Sequence, residues 1–168
     1  VGGSVNVITN KPQSGFAGHA DAMVGNYDAH ALRGWVNLPV MDTGERQVLA
    51  RVTGVWAEHD GYQKNLFTGA GATHDADGQD YWMVRGQLFF KLSDAIDLLL
   101  VGAVSSNGDP VATKTRWSLA PGRFVGAQPY LSNPRKVRKN SPELYDQDST
   151  FLSATLNVDL GIATLTSV

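Results

Sequence analysis

Apolar and polar residues alternate along most of this chain, while helical spacing is hard to find. The alternation predicts seven strands: Phe16–Asn26, His30–Leu38, Gln47–Glu58, Trp82–Leu92, Asp97–Ser105, Thr150–Val158 and Ile162–Val168. A shorter β segment, Ser4–Thr9, precedes them and is closed by Asn10-Lys11-Pro12. In the fourth strand Trp82, Val84, Gly86, Leu88, Phe90 and Leu92 form one face, opposed by Met83, Arg85, Gln87, Phe89 and Lys91. In the third, Val48, Ala50, Val52, Gly54 and Trp56 oppose a face containing Arg51. In the second, Leu32, Gly34, Val36 and Leu38 oppose Arg33, Trp35 and Asn37. The first and sixth strands repeat the pattern, with Asp21 among the polar positions, and the fifth is apolar on both sides. The predicted sheet therefore has one apolar side and one side carrying Asp21, Arg33, Arg51, Arg85 and Lys91.

Two architectures use such a sheet: a soluble barrel or sandwich with the apolar side inward, and a membrane barrel with it outward. The connections separate them. Pro39–Arg46, Ser93–Ile96 and Asp159–Gly161 are short, whereas His59–Tyr81 has 23 residues and Ser106–Ser149 has 44. Long and short connections fall at opposite ends, the arrangement of an outer-membrane barrel. A compact soluble domain rarely carries structureless loops that long. Tyr27, Trp56, Tyr81, Trp82 and Phe151 sit at strand ends on the long-loop side, as an interfacial aromatic girdle requires. Packing across strands is the simpler alternative for them.

Composition narrows the reading further. The longest strongly apolar run, Leu98–Val104, is far too short for a membrane-spanning helix. There is no Cys, so thiolate metal sites and disulfides are excluded. The net charge of −2 does not point to nucleic acid. No nucleophile elbow, phosphate-cradling glycine loop or His-Glu-x-x-His pattern is present, so neither an enzyme nor a cofactor is expected. The segment from His74 to Asp80 resembles the start of a calcium loop but lacks its full ligand set. Residues 106–149 hold seven of the fourteen Lys and Arg, including Arg135, Lys136, Arg138 and Lys139. On an outer surface this basic loop would attract anionic chelates or lipopolysaccharide phosphates; a merely solvated loop is the bland alternative.

The first twelve residues, VGGSVNVITNKP, resemble the end of the plug domain in TonB-dependent outer-membrane receptors. Gly2, Gly3, Val5, Asn6, Val7, Thr9 and Pro12 occupy that family's Gly-Gly-x-Val/Ile-Asn-Val/Ile-x-Thr-x-x-Pro pattern. GNYD, LRGWVNLPV and HDGYQKNLFTG, further along, are also similar to the family. The resemblance implies an antiparallel transmembrane β-barrel segment: residues 1–12 end a plug, and residues 13–168 begin a plugged barrel of about 22 strands. Close packing of the plug strand on the wall would explain Gly2 and Gly3, and Pro12 would end that strand. Both ends of the chain read as cut, which implies a piece of a longer protein. The family's activity is uptake of a scarce nutrient, most often a ferric siderophore, across the outer membrane of a Gram-negative bacterium. The TonB complex drives it through an N-terminal box that this segment lacks. Asp21, Arg33, Arg51, Arg85 and Lys91 would then face the lumen, as a hydrated lining or as partners of plug carboxylates. The alternatives are a passive porin-type channel and a soluble lipocalin-like carrier.

Overall fold

The computed structural model describes residues 2–3, 9–69, 75–109, 124–125, 128–129, 131, 133–138, 140 and 145–168. Among them the secondary structure is all β: β1 (Ala17–Gly25), β2 (Ala29–Asp42), β3 (Gln47–His59), β4 (Lys64–Asn65), β5 (Gln79–Ser93), β6 (Ile96–Asn107), β7 (Phe124–Val125), β8 (Gln128–Pro129), β9 (Lys136–Val137), β10 (Gln147–Asp159) and β11 (Thr164–Ser167). Seven form one sheet in the order β1-β2-β3-β5-β6-β10-β11. Every pairing in it is antiparallel and joins strands that follow one another in the sheet's chain order. The sheet is an open meander with β1 and β11 at its edges, and it does not close into a barrel.

All seven strands predicted from alternation are present; five are longer than expected, while β1 and the four-residue β11 are shorter. β2 runs on to Asp42, because the pairing shifts between Pro39↔Leu49 and Met41↔Val48 and leaves Val40 as the extra residue. Such a bulge takes up the irregularity at Pro39, which lacks a ladder donor. The eight-residue connection expected at Pro39–Arg46 is therefore a tight turn. Asp42 Oδ1 accepts from Gly44 N at 3.0 Å, Thr43 N donates to Arg46 O at 3.0 Å, and Gly44 takes φ +82°. The β10–β11 turn repeats the device with Asp159 and Gly161, the latter at φ +81°. In the β5–β6 turn Lys91 Nζ bonds Asp94 Oδ1 at 2.6 Å, which holds the Asp94 carboxyl below its ordinary range. At the other end, β5 and β10 begin earlier than predicted. Polar pairs such as Glu58↔Asp80 and His59↔Gln79 extend the ladder past the apolar rows.

Register brings the apolar positions of every long strand to one side. One row reads Val36, Val52, Gly86, Gly102 and Leu152 across five strands, and another reads Leu38, Ala50, Leu88, Leu100 and Ala154. This side is uncovered: Val84 is 46% exposed, Leu88 41% and Leu152 80%. We call it the bare face. The opposite side holds the few buried residues of this sheet among those described: Ala31, Leu49, Asn37, Arg51 and Gln87. Residues 9–15 lie across it, and we call it the strapped face.

Two glycines distinguish the edge pairing from the bare face. A Cβ on Gly34 would stand 2.9 Å from the backbone oxygen of His19, whereas one on Gly86 would meet nothing within 4 Å. Gly34→Ala is expected to cost about 1–3 kcal/mol by forcing β1 away from β2. Gly86→Ala is expected to be neutral, or stabilising by about 0.5–1 kcal/mol. Denaturant midpoints of the two variants check this, with β1 amide exchange accelerated only in the first.

Candidate functional site

The strapped face is built around Asn37, whose side chain is completely buried. Its carboxamide oxygen accepts from Gln13 N at 2.9 Å. Its nitrogen donates to Gln13 O at 2.5 Å and Gly15 O at 2.6 Å. One side chain thus satisfies three backbone groups that cannot join a ladder, as buried polar groups demand. At the other end of the strap, Arg85 Nη2 donates to Thr9 Oγ1 at 2.7 Å. With its amide turned so that both ends are satisfied, Gln87 donates to Asn10 O at 2.9 Å and accepts from Arg85 Nη2 at 3.3 Å. Pro12, between these anchors, is buried. The strap therefore runs from β5 across to β2 and then enters β1 at the sheet edge.

Asn37, Arg51 and Gln87 are direct register neighbours on β2, β3 and β5. The Arg51 guanidinium lies 3.9 Å from the centre of the Trp35 ring, a cation–π contact. Asp21, Arg33, Arg51, Arg85 and Lys91 all fall on this face by register, as alternation predicts. They do not form one cluster. Asp21 lies 3.5 Å from the His19 ring, and Lys91 reaches away into the β5–β6 turn. Of the plug-like motif, Thr9 and Pro12 belong to the strap, whereas Val5, Asn6 and Val7 lie outside the described residues. Gly2 and Gly3 are exposed, and a Cβ on either would meet nothing within 4 Å. Close approach to a wall, the expected reason for glycine there, is not what this structure shows. Sequence reasoning placed Asn37 and Gln87 on the polar side without assigning them a role. An Asn in the middle of a strand, where the residue is disfavoured, is the signal that was available.

The aromatic residues expected to form a girdle divide. Trp56 and Trp82 are register partners on the bare face, near the long-loop end. Tyr81 and Phe151 pair with Ala57 and Ala103 on the strapped side. The strict two-residue period corrects the expectation for these two, which cannot share a band with Trp56 and Trp82. Tyr27 caps the β1–β2 turn at φ +62°. It packs edge-on against Tyr62 at 4.8 Å, and Tyr62 stacks on His59 at 4.5 Å.

The long connections meet at that same end. β4 and β9 pair in parallel, Lys64↔Lys136 and Asn65↔Val137, and the Val137 side chain is buried. Arg135, Lys136 and Arg138 stand exposed on this element, and Lys139 lies outside the described residues. Asp75 is a brace: its carboxylate accepts from Asn65 N at 2.9 Å and pairs with Lys64 Nζ at 3.1 Å. Asp75→Ala is expected to loosen this element, with protease cleavage within residues 60–78 accelerating several-fold while the sheet stays intact. Beside it is a cavity of about 920 Å³ whose lining includes Glu58, Asp60, Asp75, Asp80 and Asp146, with Lys64 the one Lys or Arg among the described residues that line it. Among the described residues no group of three His, Cys, Asp or Glu stands close enough to hold a metal. His74 of the calcium-like segment lies outside the described residues.

No protein family, curated protein or solved structure matches this chain.

Proposed function

We propose that this chain is part of a TonB-dependent outer-membrane receptor that imports a scarce nutrient, most simply a ferric siderophore or similar iron complex. One observation carries the reading: the apolar positions of seven consecutive antiparallel strands share one uncovered face, while a polar strap crosses the other. In a membrane barrel the first face meets lipid and the second faces the lumen. From Trp82 to Phe90 the bare face runs about 26 Å along the strand, at ~3.3 Å per residue. A tilt of about 40° turns that into about 20 Å, close to the ~25 Å apolar band of such barrels. Charged groups begin beyond the Trp56–Trp82 pair, with Glu58 and Asp80 on the same face. A soluble carrier would need the bare face packed inward.

On this reading the strap is the end of the plug arriving at the wall, and residues 13–168 are the start of the barrel. The exposed Arg135, Lys136 and Arg138 then lie on the extracellular side, where they favour anionic chelates and lipopolysaccharide. The test is growth of a Gram-negative host on a ferric siderophore as sole iron source, with and without this gene. Uptake that requires both the gene and TonB supports the proposal. Uptake that persists without TonB indicates a passive channel, and a protein that stays in solution without detergent indicates a carrier.

A further inference from the structure

The bare face is not evenly filled. Gly86 and Gly102 are register partners on β5 and β6, and they lie in a groove of about 590 Å³ lined also by Val52, Leu88, Leu100 and Leu152. A Cβ on Gly86 would meet nothing within 4 Å, and neither would one on Gly54, its diagonal neighbour toward the long-loop end. With this face against lipid, the reading on which the proposal below rests, the groove lies in hydrocarbon. Gly86 is four residues from Trp82, about 13 Å along the strand and about 10 Å in depth. A groove there does not stay empty, because its lining would lose dispersion contacts, and without polar partners it does not hold water. An acyl chain fills it. The chain alone selects no particular lipid, since lipid tails are as apolar as leucine. The headgroup decides.

The same face supplies a second, unlike feature where a headgroup would lie. Glu58 and Asp80 are register partners one pair beyond Trp56 and Trp82. With Trp82 they line the acidic cavity of about 920 Å³. Two carboxylates directly opposite each other repel. Among the described residues no cation is committed to them. Lys64 Nζ is 3.1 Å from Asp75, the His30 ring is 3.9 Å from Asp28, and His59 is stacked on Tyr62 with its Nδ1 2.8 Å from Asp60 O. Asp80 stands about 7 Å along the strand beyond Trp82, or about 5 Å in depth. That is the reach of an ethanolamine arm from a phosphate at the level of the tryptophans.

We propose that the bare face holds one phospholipid whose headgroup ends in a primary ammonium. An acyl chain occupies the Gly86–Gly102 groove, and the ammonium sits between Glu58 and Asp80. The uncharged groove and the acidic cavity above it are complementary to the two ends of such a lipid. A headgroup without a cation would face two uncompensated carboxylates and bind less well.

Native mass spectrometry of the intact, detergent-purified protein, titrated with dioleoyl phosphatidylethanolamine or with dioleoyl phosphatidylglycerol, tests this. One phosphatidylethanolamine is expected to saturate the protein, bound roughly tenfold more tightly than phosphatidylglycerol. Gly86→Leu fills the groove from a position where a Cβ meets nothing, and it should remove that single site. Glu58→Gln combined with Asp80→Asn should keep the lipid and lose the preference. Insertion into vesicles, followed by gel shift, should match the parent in each variant and guards against a folding failure. Normal insertion with equal binding of the two lipids, or binding that survives Gly86→Leu, overturns the proposal and leaves the membrane wall standing. A dimer that Gly86→Leu dissolves, with no lipid retained, places a second copy in the groove and also overturns it. A parent protein that does not insert overturns the wall and the lipid site together.

Discussion

Asn37→Ala is expected to free residues 9–15 from the sheet while leaving the meander folded. The substitution removes three hydrogen bonds to the backbone of Gln13 and Gly15. At about 1 kcal/mol each, their loss weakens the strap by about 3 kcal/mol, or roughly a hundredfold in local opening. The register bonds of β2 to β1 and β3 are made by the backbone and survive. Hydrogen exchange followed by mass spectrometry checks this. The peptide over residues 9–15 should exchange about a hundred times faster, with β3 and β5 unchanged. A strap that stays protected would mean that Arg85, Gln87 and the burial of Pro12 hold it without Asn37.

The second large effect concerns the bare face. Leu88 lies six residues from Trp82 in β5, on the same face. That is about 20 Å along the strand, or about 15 Å of depth after tilting. In a bilayer this is close to the middle of the hydrocarbon, where an Arg costs about 2–4 kcal/mol. Leu88→Arg is therefore expected to reduce insertion into lipid vesicles several-fold. Thr155→Arg, on the strapped face of β10 and facing water in this account, should insert like the parent protein. Gel-shift folding assays in vesicles of defined thickness compare the two. Equal loss for both variants would remove the distinction between the faces.

Much of the sheet was legible because its chemistry repeats locally. A two-residue period in β2, β3, β5 and β10 names the faces of each strand without knowledge of its neighbours, and register then aligns them. The ends of the strands were less legible. His59, Asp80 and Gln79 join the ladder through backbone bonds that hydropathy does not report, and the bulge at Val40 absorbs the break that Pro39 suggested. Tyr81 and Phe151 depart from a girdle because nearness to a strand end does not fix parity. The strap was half legible. Alternation placed Arg85 and Arg51 on the polar side, but the bond from Arg85 to Thr9, 76 residues earlier, is non-local. The pairing of Lys64 with Lys136 likewise brings distant loop segments together, and nothing in either segment announces it.

The account rests on lipid meeting the bare face. The chain has no native cysteine, so single cysteines can be placed along Trp82–Lys91 and spin-labelled without further changes. In protein reconstituted into vesicles, collision rates with oxygen and with a water-soluble nickel complex should alternate. Labels at 84, 86, 88 and 90 should favour oxygen, and labels at 85, 87, 89 and 91 should not. If the even-numbered labels are instead shielded from both reagents, the apolar face is packed inside a protein interior and the membrane-wall account is wrong.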